Sequence, residues 1–89
     1  SAVPEALRGY KEIHLRALKL LKPGGTLATF CCSHHVDTQT FQDVILSAAY
    51  DTRKILRRVA TYYQSPDHPI IPSIPETEYL KGFAFELVR

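Results

Sequence analysis

The chain has 89 residues and no methionine, and it begins at Ser1; we read it as a piece of something larger. Its two cysteines, Cys31 and Cys32, are adjacent. Neighbouring Cα atoms sit ~3.8 Å apart across a trans peptide, closer than the about 4.4–6.8 Å of an ordinary disulfide. The pair does not readily bridge itself and no third cysteine exists, so an internal disulfide framework is excluded, which fits a reducing compartment. Long apolar runs are missing too: none approaches the roughly 18 residues needed to span a bilayer, and the N-terminus lacks a signal-peptide pattern. The expectation is a soluble, cytoplasmic protein with no membrane partner. Excess charge of one sign is also missing, because a formal net charge of +2 falls well short of the basic footprint of an autonomous nucleic-acid-binding domain. A chain this short forms one domain, 1–89, and buries only about 60% of its unfolded surface, so stability on its own is marginal.

What is present is an alternation of helical and extended patterns. From Pro4 to Leu21 the residues Leu7, Tyr10, Ile13, Ala17, Leu18 and Leu21 recur at helical spacing, with Pro4 acceptable in the first turn. Lys19 and Lys22 complement the dipole at its end, and Gly24-Gly25 supplies the cap and turn. Thr26 to Cys32 is a nearly continuous strand-compatible run, which reads as a parallel strand covered on both faces. Asp37 or Thr38 can cap a second helix whose stripe is Phe41, Val44, Ile45, Ala48 and Ala49, ending near Thr52.

Ile55 to Tyr63 reads as a strand with Ile55, Val59 and Tyr63 on one side, although Arg53, Lys54, Arg57 and Arg58 blur the alternation. Pro66, Pro69, Pro72 and Pro75 exclude a regular helix between Ser65 and Thr77 and predict a long extended loop. Glu78 to Val88 is the last strand, with Gly82 near its start. The order helix, strand, helix, strand, loop, strand makes an α/β fold, half of a doubly wound sheet with a strand pair at the end.

Cys31, Cys32, Ser33, His34 and His35 crowd reactive side chains between a strand and a helix, the junction where open α/β sheets place ligand crevices. On a strand the two cysteines face opposite sides, so only one meets such a crevice. Cysteine is most often a small buried hydrophobe, and on residue type alone both are read as packing. Adjacent Cys31, Cys32, His34 and His35 lack the two-residue spacing of structural zinc sites, so no metal is expected.

Four strings carry a resemblance: Leu-Lys-Pro-Gly-Gly-Thr-Leu at 21–27, Phe-Cys-Cys-Ser-His-His at 30–35, Ser-Pro-Asp-His-Pro at 65–69 and Pro-Glu-Thr-Glu-Tyr-Leu-Lys-Gly-Phe at 75–83. In this order the chain resembles the carboxyl-terminal part of class I S-adenosylmethionine-dependent methyltransferases that modify large-subunit ribosomal RNA at cytosine C5. The resemblance implies the carboxyl-terminal half of a Rossmann-like methyltransferase sheet, helix-strand-helix-strand-strand, incomplete alone. Its only glycines are Gly9, Gly24, Gly25 and Gly82, with no G-x-G-x-x-G and no Asp-Pro-Pro. The S-adenosylmethionine loop would thus come from elsewhere, no residue here is assigned to cofactor binding, and this stretch alone is expected to be inactive.

The resemblance makes Cys32 the nucleophile, because cytosine C5 reacts only after a thiolate has added to C6. A helix N-terminus or neighbouring histidinium favours such a thiolate, and Cys31 is left as the packing residue. Ser33, His34 and His68 become substrate-binding residues, with the loop around His68 bordering an unstacked ribosomal RNA base. Each has a plainer role: His34 and His35 can merely join strand to helix, and His68 can hold its own turn. Glu76, Tyr79 and Lys81 read more readily as capping and edge protection, and the basic cluster as a solvated helix end rather than a phosphate contact. Two rivals stay open: a methyltransferase with another substrate and Cys32 a bystander, or a noncatalytic α/β module that forms a homodimer through an exposed sheet edge.

Overall fold

A computed structural model describes residues 3–89; Ser1 and Ala2, the start of the expected 1–89 domain, lie outside the described residues. The elements are α1 (Val3–Leu20), β1 (Thr26–Cys31), α2 (Thr38–Asp51), β2 (Leu56–Tyr63), a 3₁₀ turn (Pro75–Thr77) and β3 (Lys81–Leu87). The fold is α/β, with the expected order of elements and a closing antiparallel pair, β2 and β3. No helix among the described residues is long and apolar enough to cross a membrane.

The sheet order is β1-β3-β2, and β3 runs antiparallel to both neighbours. β1 and β2 are therefore parallel to each other but not adjacent. This corrects the reading of β1 as a parallel strand covered on both faces: its neighbour is antiparallel, and its exposure alternates from Thr26 to Phe30. The apolar run misled because Ala28 and Phe30 face away from the helices, where both stay exposed and Tyr62 stands beside Phe30 with ring centroids 5.5 Å apart.

Both helices lie on one face of the sheet. Cys31, Phe83 and Phe85 meet Phe41 and Ile45 of α2, with Leu7 and Tyr10 of α1 packed alongside. Leu18, Ala48 and Ala49 form a second apolar cluster over Leu27 and Leu56. β3 is the most buried strand because it is central and because its odd residues point under the helices.

In α1, His14 takes the buried position expected for Ile13, which is exposed. The helical stripe runs 7, 10, 14, 18, 21, and the imidazole is tolerated there because both nitrogens are satisfied. Nδ1 faces the Tyr10 carbonyl at 2.7 Å and Nε2 the Thr29 hydroxyl at 2.7 Å, as buried polar atoms require. In β2, the expected apolar side is overturned: Ile55, Val59 and Tyr63 are exposed. A register irregularity between Arg58 and Ala60 leaves Val59 as a bulge, which shifts the alternation by one residue.

The long loop before β3 is ordered by two side chains. Gln64 donates to the carbonyls of His68 (2.8 Å) and Thr77 (2.6 Å) and accepts from the amides of Tyr79 (3.1 Å) and Leu80 (3.3 Å). Thr77 Oγ1 accepts from the Ile71 amide at 2.8 Å and donates to the Ile74 carbonyl at 2.7 Å. Glu78 to Leu80 consequently belong to the loop and not to the last strand.

Candidate functional site

β1 delivers the two cysteines to opposite environments. Cys31 is 3% exposed within the core and donates to the Tyr10 hydroxyl at 3.5 Å, whereas Cys32, the first residue after the strand, is exposed. Strand alternation is the cause: the side chain that follows a core-facing residue must point outward. The hydrogen bond with the Cys31 thiol, reinforced by burial and by the nearness of both sulfurs, pushes the Tyr10 hydroxyl up to about 12. Tyr10 is therefore a neutral phenol behind the cysteine pair.

A tight turn follows. The Val36 amide donates to the Ser33 carbonyl at 3.3 Å, the His35 amide donates to Ser33 Oγ at 3.3 Å, and Val36 is buried. The rings of His34 and His35 lie 3.9 Å apart and both are exposed. Asp37 then caps α2, its carboxylate accepting from the Thr40 amide at 2.7 Å. That hydrogen bonding holds the Asp37 carboxyl below its ordinary value, with a lesser contribution from Lys81.

Lys81 is the residue whose role sequence reasoning missed. Placed at the start of β3, it was read as edge protection, yet it is 2% exposed. Its Nζ donates to the carbonyls of both Ser33 and Val36, across the base of the turn that follows Cys32. The only local signal was a lysine at an odd position in a strand whose other odd residues are aromatic or leucine.

Between this turn and the proline loop lies an open cleft of about 560 Å³, with His34, Asp37 and Lys81 on one side and Ile70, Ile71 and Pro75 on the other. Of the predicted site residues His34 lines it; Cys32, Ser33 and His68 are not in its lining. His68 is engaged within its own loop: Nδ1 pairs with the Tyr79 hydroxyl at 2.9 Å, and Nε2 stands 3.9 Å from Asp67 Oδ2. The structure thus brings together Cys32, Ser33, His34, Asp37 and Lys81, and sets the His68–Tyr79 pair apart in the proline loop.

The basic cluster disperses. Arg57 pairs with Glu86, Arg58 donates to Gln42 at 2.6 Å and lies over the Phe83 ring, and Arg53 caps α2 with its backbone.

No family model matches the chain. It is similar to proteins named ribosomal RNA large subunit methyltransferase I. With that of Erwinia tasmaniensis it is 45% identical over 83 residues, 93% of this chain and 21% of the relative. With that of Vibrio parahaemolyticus the identity is 46% over 83 residues, covering 93% and 21%, and with that of Klebsiella pneumoniae 47% over 79 residues, covering 89% and 20%. The chain spans about a fifth of the length of these curated relatives, and the match falls in their carboxyl-terminal part.

Proposed function

We propose that this chain forms part of an S-adenosylmethionine-dependent methyltransferase acting on cytosine C5 of ribosomal RNA, with Cys32 as the nucleophile. The observation that carries the reading is the split between the cysteines: Cys31 is sealed in the core while the Cys32 thiol is accessible at the carboxyl end of β1. The relatives' name supports methyl transfer to ribosomal RNA. A packing role for both cysteines, the ordinary expectation for this residue type, does not account for an exposed thiol beside a turn held so firmly.

The chain's own chemistry in this reading is confined to the pyrimidine ring. The Cys32 thiolate adds to C6, its lone pair forming the S–C6 bond while the C5–C6 π electrons move to C5, which becomes nucleophilic. When C5 later loses its proton to a base, the electrons of that C–H bond restore the C5–C6 double bond and expel the sulfur as thiolate. Ser33 and His34 border the flipped base, and the proline loop flanks it across the cleft through Ile70, Ile71 and Pro75.

The described residues do not fit the cofactor. Gly24 and Gly25, the nearest thing to a glycine loop, are spent on hooking the turn after α1 to β3, through Gly24 N to Leu87 O at 2.8 Å and Leu87 N to Gly25 O at 2.9 Å. No cradle for a nucleoside is left there, so the methyl donor belongs to other parts of the polypeptide.

The test is Cys32→Ala in the complete natural polypeptide, assayed on ribosomal RNA and on the same RNA carrying 5-fluorocytidine, whose fluorine blocks release of the thiol adduct. Loss of methylation by at least roughly 1000-fold together with loss of the covalent adduct is expected, while Cys31→Ala retains both. Methylation that survives Cys32→Ala overturns the reading.

A further inference from the structure

We propose that Lys81 is a positioning residue: its buried amine clamps the Ser33–Val36 turn and thereby fixes His34, which lines the cleft, and Cys32, which leads into the turn. The proposal rests on the reading of Cys32 as nucleophile, and it concerns a residue that does not touch the pyrimidine.

Three observations carry it. Lys81 is almost wholly buried, and burying a cation is expensive unless its donors are used. Its Nζ is used on the carbonyls of Ser33 and Val36, which are separated from it by 48 and 45 residues and mark the two ends of one turn. Among the described residues no carboxylate lies within ion-pair distance of it, so the amine's investment is in the turn's backbone rather than in a salt bridge.

The location of the clamp matters as much as its chemistry. Cys32 immediately precedes the turn and lies just past β1, so the strand fixes only that its side chain points outward and the turn must set its position further. His34 lies within the turn and lines the cleft, as Lys81 itself does. The turn's internal restraints are two hydrogen bonds at 3.3 Å, at the long end of the normal range. An amine that ties both ends to central strand β3 supplies the rigidity those bonds lack, and a reacting group needs such support to stay within a fraction of an ångström of its productive position.

The experiment compares Lys81→Met, which keeps the stem and deletes the amine, with Lys81→Arg, which keeps donors and charge, in the complete natural polypeptide. Lys81→Met is expected to speed amide hydrogen exchange at His35 and Val36 about tenfold, since the turn opens locally once unclamped. It should lower kcat for ribosomal RNA methylation at least about tenfold through misplacement of the thiol, leaving the KM for S-adenosylmethionine within about twofold. Lys81→Arg should restore kcat to within about threefold of the natural enzyme. If Lys81→Met does not fold, Lys81→Gln, uncharged and one atom too short to span both carbonyls, replaces it with the same expectations. Unchanged exchange at His35 and Val36 overturns the clamp, whatever the nucleophile is. Faster exchange with methylation within twofold of the natural enzyme overturns its catalytic relevance. Survival of methylation in Cys32→Ala strikes at the nucleophile instead, so the two failures are told apart.

Discussion

The ring of Phe30 lies across the backbone of Gly82: a β-carbon placed on that glycine would stand 2.3 Å from Phe30 Cδ1 and 2.9 Å from the Thr29 carbonyl. The two residues are direct partners between β1 and β3, and Tyr62 is the partner of Gly82 on the other side, with its ring 5.5 Å from that of Phe30. Two aromatic rings thus roof a glycine that would otherwise weaken the central strand. Gly82→Ala must expel the Phe30 ring, and a loss of about 1–3 kcal/mol is expected by denaturant unfolding. Because the closest clash is with the Phe30 ring, the double variant Gly82→Ala/Phe30→Ala should lose less than the sum of the two single changes. Additivity would mean that the alanine is accommodated by the backbone.

Asp37 offers a pH-dependent contribution. Its carboxyl is held below the ordinary value by hydrogen bonds from Thr40, so the folded state favours the carboxylate. The stabilisation is present in full above the unfolded value near ~3.9 and is lost as the pH falls through the lower folded value. Asp37→Ala should cost about 0.5–1 kcal/mol at neutral pH, the lower half of the usual range for a cap because the residue is exposed. Asp37→Asn should keep most of the cap and flatten the acid limb of stability against pH.

Tyr10 gives the opposite limb. Its hydroxyl is pushed up to about 12, first by the hydrogen bond with Cys31. A group whose folded value is raised contributes stability that is complete below its unfolded value, near ~10, and disappears as the pH rises toward the folded one. Tyr10→Phe should therefore weaken the fold at neutral pH and remove part of its alkaline decline. Phenolate absorbance should lose its latest-rising step in the same variant, and an unaltered titration would contradict the assignment.

Arg53 closes α2 in the left-handed region, with φ of 56°. The Arg53 amide donates to the Tyr50 carbonyl at 3.1 Å and the Lys54 amide to that of Ala49 at 2.8 Å, the paired bonds of a Schellman ending whose αL position favours glycine. Arg53→Gly is expected to raise stability by about 0.5–1 kcal/mol in thermal unfolding, since the guanidinium has no role in that ending.

Much of this was legible in local pattern. The 3.6-residue stripe of α2, a cap at Asp37 or Thr38 and the loop between the four prolines follow from residue types a few positions apart, and the structure selects Asp37. That Cys31 and Cys32 face opposite sides follows in the same way, since successive residues of a strand cannot share a face, whereas which of them points outward was given only by the resemblance. Ile13 and Val59 were misread for complementary reasons: an imidazole with two hydrogen-bond partners can outcompete an isoleucine for a buried site, and a bulge shifts a strand's alternation without any sign in its composition.

The amino-acid sequence by itself determined the order of elements, the α2 stripe and the opposed facing of the two cysteines, all consequences of period and short-range geometry. Only the tertiary structure decided that β3 inserts antiparallel between β1 and β2, that the rings of Phe30 and Tyr62 flank Gly82, and that an amine at position 81 ties down the turn after Cys32. The reason is distance along the chain. The β1–β3 pairing and the Lys81 clamp join residues more than forty positions apart, and which distant groups meet is chosen by the competition to bury apolar surface while satisfying every buried polar atom.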